Sequence, residues 1–178
     1  MAEDLLFIEP DENLAAALSV YMRRQQFDVR IADSAGAASD QMQKRPPHIL
    51  LANPGLPDAD GTRLLLDFKA EHLDVPLIMI TEPENLEPAM ETFGAKALDY
   101  LQKPVKSVAL DIALAHARLF MRVTRKMSRY ARQLEDLHEA HNLYHQLFDE
   151  VPCYISVQDR QFRLTATNRL FKRDFGNE

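Results

Sequence analysis

A single cysteine, Cys153, stands among 178 residues, so no disulfide can close within the chain. Such sparing use suits a reducing compartment, and Cys153 itself reads as a small half-buried apolar residue. No apolar run reaches the roughly 20 residues that a membrane-spanning helix needs. A basic leader is missing too: Met1–Ala2–Glu3–Asp4 is acidic where a secretory signal would be positive. A cytoplasmic protein without a membrane partner is expected. Proline and glycine are absent from residue 105 to residue 151, so nothing in that span forces a helix to stop.

What is present is a globular composition, 46% apolar and 27% charged. The length accommodates one ordinary domain and part of another. Charge is uneven. Residues 1–105 hold 18 acidic and 9 basic side chains, whereas residues 106–178 hold 9 acidic and 12 basic. The acidic front argues against nucleic-acid binding there, and the change of sign near residue 105 marks a boundary.

Short apolar runs at 5–8, 29–32, 48–52, 77–80 and 97–101 read as strands. Runs without alternation mark strands buried on both faces. Helical patterns intervene. Leu14, Leu18, Tyr21 and Met22 follow the start signal Pro10-Asp11-Glu12-Asn13, residues 34–44 end at Pro46-Pro47, and Leu64, Leu65 and Phe68 mark a third helix. Strands alternating with helices specify an α/β fold with a parallel sheet. In such sheets the working crevice lies at the carboxyl ends of the strands, where Glu9, Asn53, Thr81 and Lys103 fall.

Residues 4–117 resemble the receiver domain of bacterial response regulators, a flavodoxin-like (βα)5 fold with five parallel strands. Glu9-Pro10-Asp11 falls at that family's acidic cluster. The loop from Asn53 to Gly61 matches the one that opens with the phosphoacceptor aspartate. Thr81 stands at the family's Ser/Thr position. Gly94-Ala95 precedes the fifth strand, and Asp99-Tyr100-Leu101-Gln102-Lys103-Pro104 matches the segment with the switch aromatic, the lysine and an often cis proline.

The resemblance implies a chemistry that this chain lacks the groups to perform. In the family an aspartate attacks a phosphoryl group, a carboxylate-held Mg²⁺ neutralises charge, and the lysine and hydroxyl stabilise the phosphoryl oxygens. Here the acceptor-equivalent residue is Asn53, whose neutral amide forms no acyl phosphate. Pro10 removes a metal ligand. Glu82 follows Thr81 where the family has a small residue, and a carboxylate turned inward there repels phosphate. No metal, cofactor or enzymatic activity is expected. Two readings of Thr81, Tyr100, Lys103 and Pro104 stay open: a switchable or pre-set surface for protein contacts, or simple packing with Lys103 bonded to Glu9.

The fifth helix starts near Ser107, a good N-cap, and runs on. Phe120, Val123, Met127, Tyr130, Leu134, Leu137, His141 and Tyr144 recur at alternating steps of three and four, continued by Phe148 and Val151. That is a heptad seam, predicting a coiled coil and a homodimer. Arg118, Arg122, Arg125, Arg129 and Arg132 form a basic stripe away from the seam, read as a solvated face and not as a nucleic-acid surface. His138, His141 and His145 cluster there as well. The HExxH zinc pattern fails at Asn142, and no metal site is assigned.

Residues 143–178 resemble the start of a PAS sensor domain, with a lead-in helix, a hairpin, Asn168 and a short helix. The expected organisation is a receiver-like domain at 1–106, an extended helix and coiled-coil linker at 107–146, and a PAS fragment of α+β type at 147–178. The expected function is a phosphorylation-independent signalling and dimerisation module of a two-component (phosphorelay) protein, acting on other signalling proteins or domains. The other reading is a phosphorylatable receiver with a non-standard acceptor among Glu9, Asp11, Asp58 and Asp60.

Overall fold

A computed structural model describes residues 2–58 and 60–176. Met1, Ala59, Asn177 and Glu178, which belong to the expected domain spans and the Asn53–Gly61 loop, lie outside the described residues. Two compact units divide the chain, one ending at Arg125 and the other beginning at Lys126.

The first unit alternates strands and helices: β1 (Glu3–Ile8), α1 (Glu12–Arg24), β2 (Phe27–Ala32), α2 (Ala35–Lys44), β3 (Ile49–Ala52), α3 (Gly61–Glu71), β4 (Leu77–Thr81), α4 (Leu86–Phe93), β5 (Asp99–Gln102) and the start of α5 (Ser107–Glu150). The strands form one parallel sheet in the order β2-β1-β3-β4-β5. The strand at 97–101 is displaced: Ala97 and Leu98 are apolar, but the ladder begins at Asp99, paired with Ile78.

Continuous apolar strands make sense because both faces are covered. Leu5, Phe7, Ile49, Leu51, Ile78 and Ile80 pack on α1 and α5 through Met22, Leu110 and Leu114. The alternate residues Leu6, Ile8, Leu50, Leu77 and Met79 pack on α2, α3 and α4 through Met42, Leu65 and Phe93. Each fully buried large side chain contributes about 1.5–3 kcal/mol. By that measure α4 is weakly seated, since only Ala89 and Phe93 of it are buried.

Three aspartates start helices. Asp11 accepts from the Asn13 and Leu14 amides, and Asp60 accepts from the Arg63 amide, each as the N-cap of its own helix. Asp58 reaches across from the β3–α3 loop to the first turn of α2, accepting from Ala35 at 2.8 Å and Gly36 at 3.0 Å. Gly61 permits the tight loop entry into α3, because a Cβ there would collide with the Pro54 carbonyl oxygen.

In the first unit α5 buries Leu110, Ala113, Leu114, Ala117 and Met121. Tyr21 donates to both carboxylate oxygens of Asp111, at 2.8 and 2.9 Å, tying α1 to α5. Arg118 departs from the solvated stripe. It donates to Glu3 at 2.6 Å and its guanidinium sits 4.2 Å over the Phe27 ring. Beyond Met121 the apolar row is uncovered at Val123, Met127, Tyr130, Leu134, Leu137 and Tyr144, all more than half exposed, whereas Phe148, read as its continuation, is buried. Phe120, at the head of the row, is partly buried and lines a cleft of its own unit with Leu77 and Phe93.

The second unit holds the rest of α5, an antiparallel hairpin of β6 (Ser156–Gln158) and β7 (Leu164–Thr167), and α6 (Arg169–Phe175). Asn168 organises it. Fully buried, it caps α6 at Phe171, accepts from the Ile155 amide and donates to the Cys153 carbonyl. Asp149 near the end of α5 accepts from the Arg169 amide at 2.8 Å. Cys153 is exposed, not half-buried, because it lies in the turn before the hairpin and only its backbone is engaged. Among the described residues no helix is long and apolar enough to cross a membrane.

Candidate functional site

The parallel sheet delivers four side chains to one end: Glu9 after β1, Asn53 after β3, Thr81 at the end of β4 and Lys103 after β5. Thr81 pairs with Gln102, and its carbonyl accepts from the Lys103 amide at 2.9 Å. The ladder itself thus carries Lys103 to the crevice. The Lys103–Pro104 peptide is cis.

Glu9 is the centre of the arrangement, with a side chain wholly shielded from solvent. A buried carboxylate is tolerated only with partners, and it has three. Lys103 Nζ lies 3.1 Å from both carboxylate oxygens. Asn53 Nδ2 donates at 3.2 Å and the Asp11 amide at 3.2 Å. Lys103 also reaches Glu82 Oε1 at 3.3 Å, so two carboxylates share one ammonium. Asn53 is engaged at both ends, because its Oδ1 accepts from the Gly55 amide at 2.9 Å.

These residues do not fit a divalent cation. Glu9 is turned to Lys103 and Asn53, residue 10 is proline, the Asn53 carbonyl oxygen is turned to Gly55, and Asp11 caps α1. Magnesium keeps several of its waters and is held through one or two carboxylates, and here the Glu9 carboxylate is already taken up by Lys103 and Asn53. An amide already hydrogen-bonded at both ends also offers no nucleophile.

The crevice opens into a cleft of about 620 Å³ between this cluster and α4, lined by Thr81, Pro88 and Phe93 among others. A second cleft of about 570 Å³ lies on the other side of Phe93, reaching Lys69 and Phe120. Tyr100 is partly buried against the second core layer, and its hydroxyl donates to the Gly94 carbonyl at 3.1 Å. Burial pushes the Tyr100 phenol above its ordinary range. The Asp58 carboxyl is held below its ordinary range by the Gly36 and Ala35 amides.

Glu9, Asn53, Thr81, Glu82 and Lys103 are therefore brought together, with Pro10 and Asp11 at the rim. Tyr100 and Pro104 stand apart from the cleft lining. Sequence reading missed the bridge from Asp58 to α2 and the hold of Glu82 on Lys103. Each joins residues more than 20 positions apart, for which no local signal exists.

Comparison with known proteins is consistent with this geometry. The model of the response regulator receiver domain matches residues 5–115. The transcriptional regulatory protein KdpE of Staphylococcus aureus is 29% identical over 125 residues, 70% of this chain and 52% of that protein. The nitrogen assimilation regulatory protein NtrX of Azorhizobium caulinodans is 26% identical over 145 residues, 80% of this chain and 31% of that protein. The chain thus spans about half or less of the length of these relatives. Among solved structures, an adenylate cyclase from Rhodopirellula baltica superposes with a TM-score of 0.65 at 20% identity, over 74% of this chain and 98% of that one. A response regulator receiver domain protein from Clostridium thermocellum gives 0.61 at 17% identity, over 71% and 99%. At these identities the two structures speak for the fold alone.

Proposed function

Since this chain belongs to the response regulator receiver domain family, we propose that it is a pseudo-receiver, a module that signals through protein contacts and dimerisation without accepting a phosphoryl group. One observation carries the reading: the acceptor-equivalent Asn53 is hydrogen-bonded to Glu9, and Glu9 with Glu82 occupies the lysine that would meet a phosphate.

The substitute acceptors are otherwise engaged. Asp11, Asp58 and Asp60 hold the first turns of α1, α2 and α3, and Glu9 is buried in its ion pair. Nor does Asn53 have the usual route to aspartate. Succinimide closure needs the next backbone N–H, and the next residue is Pro54.

In this reading the exposed row on α5 pairs two copies as a parallel coiled coil. The hairpin and α6 are the front of a PAS domain to which the helix leads. A two-stranded hairpin alone is marginal, which agrees with a larger domain built around it. The module is non-enzymatic and cytoplasmic, binds no nucleic acid through the receiver-like part, and acts on other signalling domains.

The test is to incubate the chain with a small-molecule phosphodonor and Mg²⁺ and read its intact mass. No phosphoryl adduct is expected. An adduct that disappears on changing Asp11 or Glu9 would establish the non-standard acceptor instead.

A further inference from the structure

Three of the six histidines lie within residues 138–145, on the stretch of α5 that follows the exposed apolar row. His141 is a polar interruption of the apolar seam, and His138 and His145 lie outside it. His141 takes a seam position, four residues after Leu137 and three before Tyr144. His145 lies one helical turn further, and the two rings touch edge to face with centroids 4.4 Å apart. Both are exposed, and His145 also borders a cleft that it lines with Phe148, Leu164 and Phe171 of its own unit.

We propose that His141 and His145 from two copies, paired along the α5 seam, form a four-imidazole site for a divalent transition metal of the zinc type. The proposal rests on the reading of α5 as the dimer seam. A single chain supplies only two ligands, since among the described residues no group of three His, Cys, Asp or Glu is placed to hold an ion. A second copy doubles the set. In a parallel pair, residues at one seam position face each other across the axis and the next flanking position borders them. Two His141 rings then meet, with a His145 ring beside each.

The distances are compatible with tetrahedral coordination. Zinc–nitrogen bonds of about 2.0–2.1 Å put neighbouring ligand nitrogens about 3.3 Å apart. The two rings now lie edge to face with centroids 4.4 Å apart, and rotation about their side-chain bonds is needed to converge their nitrogens at that separation. Imidazole favours zinc, copper and nickel over magnesium or calcium. A metal there turns the costliest seam layer, a pair of polar rings, into a cross-link. Only neutral imidazole coordinates, so acid releases the ion.

The test uses the whole chain in sedimentation equilibrium, first in EDTA and then with zinc chloride, with calorimetry for stoichiometry. Expected are one zinc per two chains and a dimer dissociation constant at least tenfold lower than in EDTA. His141→Ala abolishes both effects, His145→Ala weakens zinc binding, and His116→Ala, on the first unit, changes neither. His141→Leu guards against simple loss of helix: it should pair more tightly in EDTA and ignore zinc. A dimer indifferent to zinc, or zinc binding retained in both alanine variants, overturns the site and leaves the seam standing. A chain monomeric with and without zinc overturns both.

Discussion

Lys103 lies 3.1 Å from each carboxylate oxygen of Glu9, whose side chain is fully buried, across 94 residues of sequence. Lys103 is shared between Glu9 and Glu82, so the crevice holds one ammonium against two carboxylates and keeps a net negative charge.

Lys103→Met should therefore be costly. It leaves Glu9 with only the Asn53 amide and the Asp11 N–H. Loss of one partner of a buried pair costs about 3 kcal/mol or more. Urea unfolding should show that loss, and adding Glu9→Gln should recover part of it. Strict additivity of the two changes would count against the ion pair.

Restoring an aspartate should not restore the family's chemistry. Asn53→Asp places a second carboxylate where Nδ2 now stands 3.2 Å from Glu9, and residue 10 still offers no metal ligand. We expect destabilisation of about 1–3 kcal/mol at pH 7. Two carboxylates at that distance raise one folded-state pKa above its unfolded value. The folded state then binds more protons, so the deficit shrinks as pH falls toward 4. Unfolding midpoints at pH 7 and pH 4.5, with mass spectrometry after phosphodonor treatment, check both parts.

Asp58 contributes in the opposite pH sense. Its carboxyl is depressed by the Gly36 and Ala35 amides, so its stabilisation is present above the unfolded value of about 3.9 and is lost as pH falls through the lower folded value. Asp58→Asn should lower the urea midpoint at neutral pH. It should also flatten the pH dependence of stability below about pH 4. An unchanged acid limb would show that the bridge to α2 contributes nothing.

The seam is testable without disturbing the first unit. Leu134→Lys with Leu137→Lys places four charges per dimer in the apolar row and should yield a monomer by light scattering, with the receiver-like unit's circular dichroism unchanged. A truncation for the same purpose must keep Met121, which is buried in the core; ending at Arg125 satisfies this. A parent chain that is itself monomeric at working concentration would remove dimerisation from the mechanism.

Most of the sheet was legible because strands covered on both faces become uninterrupted apolar runs, as in Leu5–Ile8 and Leu77–Ile80. The fourth helix was not. Leu86–Phe93 carries Pro88, follows Pro83 and buries only Ala89 and Phe93, too little for a periodic signal. Arg118 misled for a related reason. Its spacing places it in a basic stripe, but helix packing brings Glu3 and Phe27 against it.

The sequence by itself determined which groups stand at the crevice: the Asn53 side chain carries no anionic oxygen and the Pro10 side chain no oxygen at all, and these are properties of single residues in any fold. It also determined the unbroken helix, because no proline or glycine interrupts it. Only the tertiary structure decided what those side chains meet. Strand register brings Lys103 to Glu9 and Glu82, and loop geometry commits Asp58 to α2. Such pairings depend on how distant backbones pack, and no local pattern encodes them.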